Sequence, residues 1–200
     1  TIGIQPFTLV GATTRAGMLS APLRDRFGIL AHLDFYASGD LEEVVRRSAR
    51  LLGIPMTEDA VREVAGRSRG TPRVVNKLVR RLRDFAEVHG DGRVTVDVAV
   101  AAFKALGVDE KGFDQNDHRY LRTLVQTFRG GPVGLSTLAT ALSEEKDTLE
   151  DLVEPYLVQQ GFVRITSRGR VATPSALRHL GARPHEVGPL FAASGEEGRS

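Results

Sequence analysis

The sequence predicts three units of different class in one chain: an α/β fragment, an all-α bundle of four short helices, and a winged helix. Three observations predict them. A β-rich apolar run, Phe7-Thr8-Leu9-Val10-Gly11-Ala12, breaks off into Thr13-Thr14-Arg15. Capped stretches of helical period then follow one another from Asp40 to Leu106. Beyond a polar connector, helix patterns give way to two alternating runs joined by Ser167-Arg168-Gly169. The bounds that result are 1–36, 37–107 and 110–185, with a tail over 186–200 whose Pro, Gly, Ser and Glu content predicts disorder.

Each element has a local reason. Phe7–Ala12 reads as a buried parallel strand, and Ile29–Phe35 as a second one after a loop through Pro22. Asp40 with Glu43 makes a capping-box pattern for a helix running to about Leu52. A second helix spans roughly Glu58–Ser68. The third begins at Pro72, carries Val74, Val75, Leu78, Val79, Leu82, Phe85 and Ala86 on one face, and ends near Gly90. Thr95 opens a fourth, to about Leu106. Gly107–Phe113 is the connector. Asn116–Phe128 is then predicted helical up to the stop Gly130-Gly131-Pro132, Leu135–Leu142 helical again, and a third helix runs from Asp147 or Thr148 to Gly161. Phe162–Thr166 and Arg170–Thr173 alternate as a hairpin, and Ser175–Leu180 closes with a short helix.

Composition narrows the function classes. The chain has 200 residues, 41% hydrophobic, and no apolar run approaches the roughly 18 residues of a transmembrane helix. Without cysteine, disulfides and thiolate metal sites are excluded. The net charge is only +2, but Arg greatly outnumbers Lys, and Arg is the better residue for forked phosphate contacts. A GC-rich genome gives the same bias. The chain begins with Thr, shows no signal peptide and runs straight into a strand pattern, so it is expected to be the C-terminal part of a longer protein.

The richest run is Arg69-Gly70-Thr71-Pro72-Arg73. Thr71 suits a helix cap and Pro72 the first helical position. That holds Arg73 at the positive end of a helix, which attracts anions, so it is a candidate phosphate contact. The competing reading is a capped surface helix with one solvated Arg. At the end of the first strand, Thr13 and Thr14 offer hydroxyls where open α/β sheets bind ligands. In Pro22-Leu23-Arg24-Asp25-Arg26-Phe27-Gly28, one arginine can pair with Asp25 and the other is free to act on a phosphoryl group in trans. On the hairpin, Arg164, Arg168 and Arg170 form a basic projection suited to phosphates, the alternative being a solvated charged turn.

Taken together, Phe7–Gly17, Leu23–Gly28, Ser48-Ala49-Arg50, Arg69–Arg73, Arg83–Val88, Gly130–Leu135, Glu154-Pro155-Tyr156-Leu157 and Gln159–Phe162 resemble the RuvB family, the Holliday-junction branch-migration ATPases of the AAA+ class. The resemblance implies the end of an AAA+ large ATPase subdomain, a four-helix lid and a winged-helix DNA-binding head. It implies ATP and Mg2+ as cofactors, a cytoplasmic homohexamer on DNA, and RuvA and RuvC as partners in recombination and repair. By the same resemblance Thr14 is sensor 1, Arg26 the arginine finger with Arg24 as second candidate, Tyr36 and Pro72 line the nucleotide, and Arg73 is sensor 2. Lys146 and Arg170 fall at DNA-contact positions. Ile165 departs from the pattern, standing where relatives can carry a basic residue.

The phosphate-cradling G-x-x-x-x-G-K-[ST] run and a strand ending in Asp-Glu for magnesium are both missing from the sequence. Both are expected upstream, so this chain alone is expected not to hydrolyse ATP. The alternative is a non-enzymatic winged-helix DNA-binding regulator with a helical oligomerisation unit, which would leave the Thr-Thr-Arg strand end and the two earlier arginine constellations without a role.

Overall fold

A computed structural model describes residues 5–13 and 16–182; the tail expected over 186–200 lies outside them. The chain divides into two compact units, 1–34 and 35–200. Among the described residues no helix is long and apolar enough to cross a membrane.

The first unit corrects the expectation of strands. Neither 7–12 nor 29–35 is a strand; among the described residues the regular pieces are a 3-10 turn, Ala16–Met18, and helix α1, Ala21–Arg24, with Pro22 in its first turn. A strand is completed by hydrogen bonds to a neighbour, and none pairs with these runs among the described residues. Their apolar side chains consequently stay in water: Val10 is 86% exposed and Ile29 88%.

In the second unit, residues 35–108 form the predicted four-helix bundle: α2 Ser38–Leu51, α3 Glu58–Arg67, α4 Pro72–His89 and α5 Val96–Leu106. Its core is Leu41, Val45, Val61, Val64, Val75, Leu78, Val79, Leu82 and Phe103 with their small neighbours. The apolar face predicted for α4 is the buried one, Val74 and Phe85 lying at its margin. The Asp40–Glu43 capping box does not form. The helix starts three residues earlier, at Ser38 after an Ala37 N-cap, with no side-chain cap, and Glu43 bonds Arg46 at 2.8 Å instead. Arg46 also takes Glu42 and Glu58, and this charged competitor draws Glu43 away from the helix end. Thr57 and Thr95 do cap, each hydroxyl accepting an amide hydrogen at 3.4 Å.

Residues 109–182 carry a second, separate core around Phe113, Tyr120, Leu121, Leu124, Leu157 and Leu177. Helix α6, Gln115–Arg122, opens on a capping box between Asp114 and Asp117 and continues through a π turn, Thr123–Thr127. Helix α7 is Leu135–Leu142. The single helix expected up to Gly161 is three joined pieces: α8 Lys146–Thr148, a π turn Leu149–Val153, and α9 Glu154–Gln159. Pro155 explains the change of winding, because it brings no amide hydrogen to the turn before it. Strands β1, Val163–Thr166, and β2, Gly169–Ala172, pair antiparallel with Thr166 opposite Gly169. Helix α10, Pro174–His179, follows. Val133 exchanges two hydrogen bonds with Arg170, of 2.8 and 3.0 Å, so the hairpin is fastened to the loop before α7. Helices followed by this fastened hairpin make a winged helix.

Candidate functional site

Two surfaces gather most of the described residues singled out by sequence, while Arg24 and Arg26 belong to the first unit. The first surrounds the entry to α4. Arg69 and Gly70 both take left-handed backbone conformations, φ 58° and 70°. A Cβ on Gly70 would stand 2.8 Å from Cβ of Phe35, so Gly is required where Phe35 packs. The Gly70 carbonyl accepts the Tyr36 amide hydrogen at 2.9 Å. This is what brings Tyr36, half exposed, to the Thr71-Pro72-Arg73 run. Pro72 is the first helical residue, as expected, but the Thr71 hydroxyl accepts nothing from the helix; it lies 3.5 Å from the Ser68 carbonyl. The first turn therefore keeps its amide hydrogens unpaired by a side chain, with no acid in that turn. Arg73 is exposed there and has no ion pair among the described residues.

Arg69, which the sequence did not single out, has a different task. It bonds Asp117 at 3.0 Å, approaches Asp114 at 3.8 Å, and lies over the Tyr156 ring, 4.5 Å from its centre. It joins the bundle to the winged helix. Burial pushes the Asp117 carboxyl up to about 6, outweighing Arg69 and the Asp114 amide hydrogen that favour its charge. The Asp114-x-x-Asp117 spacing signals the capping box that fixes Asp117, but not its Arg69 partner.

In the first unit, Arg24 ends α1 and Arg26 follows in the turn; both are exposed. Neither forms an ion pair with Asp25, so the structural bridge considered for one of them is not made. The turn leans on the apolar run, Phe27 lying 3.4 Å from where a Cβ of Gly11 would be. Thr14 lies outside the described residues.

The second surface is the hairpin. Arg164 and Arg168 are exposed, Ile165 between them is 52% exposed, and Lys146 stands exposed at the start of α8. Arg170 corrects the expectation of a free projecting charge. Its Nε and Nη2 donate to the two oxygens of Glu154 at 2.9 and 3.0 Å, and the Tyr120 hydroxyl donates to the same carboxylate at 2.7 Å. Glu154 is only 2% exposed. The partner is on α9, far off in sequence, so no spacing rule pointed to it. The pairing raises the Arg170 guanidinium further, chiefly through the Glu154 hydrogen bond; burial drives the Tyr120 hydroxyl upward.

With this geometry in hand, the comparisons are specific. Residues 36–109 match the model described as RuvB AAA lid domain, and 110–181 the RuvB C-terminal winged helix domain. Residues 1–33 match the Holliday junction DNA helicase RuvB P-loop domain. The chain belongs to the RuvB family. Two curated relatives, from Salinispora arenicola and Thermobifida fusca, are each named Holliday junction branch migration complex subunit RuvB; they are 58% and 59% identical over 92% and 90% of this chain. The chain spans about half the length of these relatives, 52% in both cases. The solved Thermotoga maritima RuvB Holliday junction branch migration motor superposes with a TM-score of 0.86 at 46% identity, over 90% of this chain and 60% of that one. The lid and winged-helix architecture is thus that of RuvB.

Proposed function

We propose that the chain supplies the lid and DNA-binding head of an ATP-driven homohexameric motor that branch-migrates Holliday junctions during recombination and repair in the cytoplasm. ATP with Mg2+ sits between subunits. Tyr36, Pro72 and Arg73 border the nucleotide of their own subunit, and Thr14 reads its terminal phosphate. Arg26, with Arg24 as second candidate, completes the neighbour's site. Arg164, Arg168 and Lys146 follow DNA phosphates, and RuvA and RuvC are the partners on the junction. The observation that carries this reading is the unpaired Arg73 at the open N-terminal turn of α4, three residues from the carbonyl that holds Tyr36. A family lid followed by a winged helix in one chain supports the rest. The chain contains no phosphate-cradling lysine run, so by itself it does not turn over ATP.

The test uses a protein of the relatives' full length. Arg26→Ala should keep ATP binding, lower turnover by roughly 10³ or more, and poison wild-type neighbours in mixed hexamers. Arg73→Ala should weaken nucleotide binding in a fluorescent-nucleotide titration. Turnover within a few-fold of wild type for Arg26→Ala would transfer the role to Arg24. Unchanged affinity and turnover for Arg73→Ala would reduce that residue to a solvated helix cation.

A further inference from the structure

At the joint between bundle and winged helix, three ligand-bearing side chains meet that neither surface above uses. Asp109 lies in the connector, His118 on α6 and His179 at the end of α10. Oxygen Oδ1 of Asp109 accepts the amide hydrogens of Lys111 and Phe113, at 2.8 and 2.9 Å, which fixes the carboxylate. Its Oδ2 then faces two imidazoles at once: Nε2 of His118 at 3.0 Å and Nε2 of His179 at 2.8 Å. Edge contacts from Phe113 and Phe162, with ring centres 5.4 and 5.3 Å from that of His179, hold the second ring in place. All three ligand atoms lie within 4.8 Å of one another. The three residues form part of the wall of a cleft of about 980 Å³, with Lys104, Arg119 and Arg122 also lining it.

We propose that Asp109, His118 and His179 form a binding site for a divalent transition-metal ion of the Zn2+ type, with its fourth coordination position open to the cleft. Two imidazoles and a carboxylate are a donor set for zinc and its neighbours, whereas Mg2+ and Ca2+ require mostly oxygen. Bonds of about 2.0–2.2 Å in a tetrahedron put ligand atoms about 3.3–3.6 Å apart. The two Asp109–imidazole separations, 2.8 and 3.0 Å, widen by roughly 0.3–0.8 Å to reach that range. If both Nε2 atoms carry hydrogens toward one oxygen, Nδ1 of His118 keeps a lone pair that is buried without a partner. With a metal on Nε2 the proton moves to Nδ1, which still finds no acceptor. His118 therefore lacks the outer hydrogen bond that usually supports a metal-bound imidazole, and affinity falls roughly 10–100-fold below that of a fully supported site. A bound ion would tie the connector to the first and last helices of the winged helix. The inference does not rest on the motor reading.

The test is calorimetric titration of the untagged, chelator-stripped 200-residue chain with Zn2+, with Co2+ as a spectroscopic probe and NMR of the imidazole ring protons. One equivalent of Zn2+ should bind in the presence of excess Mg2+, and Co2+ should give visible d–d absorption. The ring signals of His118 and His179 should move, and those of His32, His89 and His185 should not. Asp109→Asn, whose remaining oxygen can keep the two amide contacts, and His179→Gln should each lower affinity at least tenfold. Absence of saturable binding, retention of binding in both variants, or ring shifts confined to the other histidines would overturn the site. Should a variant fail to fold, the ring-proton assignment in the unaltered chain decides.

Discussion

Arg168 and Arg170 are separated by one glycine, and the fold gives them opposite uses. Arg168 stands in water at the hairpin turn, while Arg170 turns inward to a carboxylate that water scarcely reaches. Removing Arg170 would strand the Glu154 charge with only the Tyr120 hydroxyl as donor. Breaking a buried pair from one side costs about 3–5 kcal/mol, and the lower end applies because the Arg170 side chain remains 13% exposed. Urea unfolding should therefore show Arg170→Ala destabilised by about 3 kcal/mol, with the joint change Arg170→Met and Glu154→Leu recovering most of it. A destabilisation below about 1 kcal/mol would mean that the pair behaves as an ordinary surface bridge. Arg69 and Arg73 divide in the same way, one committed to Asp117 and the other open. The sequence presented Arg73, Arg168 and Arg170 alike as candidates and passed over Arg69; the partner on another element decided which were committed.

At the scale of the element, the hairpin is anchored at its base and open at its tip. Gly169 has φ 129°, and a Cβ there would lie 2.4 Å from the Val133 carbonyl oxygen, so only Gly allows the strands to close on the loop before α7. The anchoring presents Arg164 and Arg168 outward without ordering either side chain. If both meet phosphates, replacing them with Ala should lower the salt slope of DNA binding by about 0.9 for each phosphate no longer neutralised. The measurement is affinity against salt for single and double variants; an unchanged slope in the double variant would leave the phosphate contacts to other residues, such as Lys146 at the start of α8. The elements were largely legible where local chemistry set them. Helix α4 was, from Pro72, its apolar stripe and Gly90; α7 was, as Leu135–Leu142 after the Gly-Pro stop. The start of α2 was not, because Arg46 competes for the carboxylate that would have capped it.

In the whole molecule, apolar burial is uneven: the bundle and the winged helix each close a core, while 5–13 and 16–34 leave Phe7, Leu9, Val10, Ile29, Leu30 and Leu33 largely in water. Amide hydrogens without a ladder or a core exchange through local opening at little cost. Hydrogen exchange read by mass spectrometry should thus saturate early over 5–13 and 16–34 and late over α3, α4 and α6. Strong protection of 7–12 would show strand pairing and contradict the unpaired conformation. The runs at 7–12 and 29–35 have strand composition, yet composition cannot supply the neighbouring backbone that a strand requires. By itself, the sequence determined the order of units, most helices, the hairpin and the family resemblance, because helical period, caps and turn residues act within a few positions along the chain. Only the tertiary structure decided that Arg170 faces Glu154, that Arg69 crosses to Asp117, and that Asp109 meets two histidines. Most of those partners lie well beyond the reach of any helix or turn pattern, and which charges end up paired depends on how the two cores pack, which no local spacing encodes.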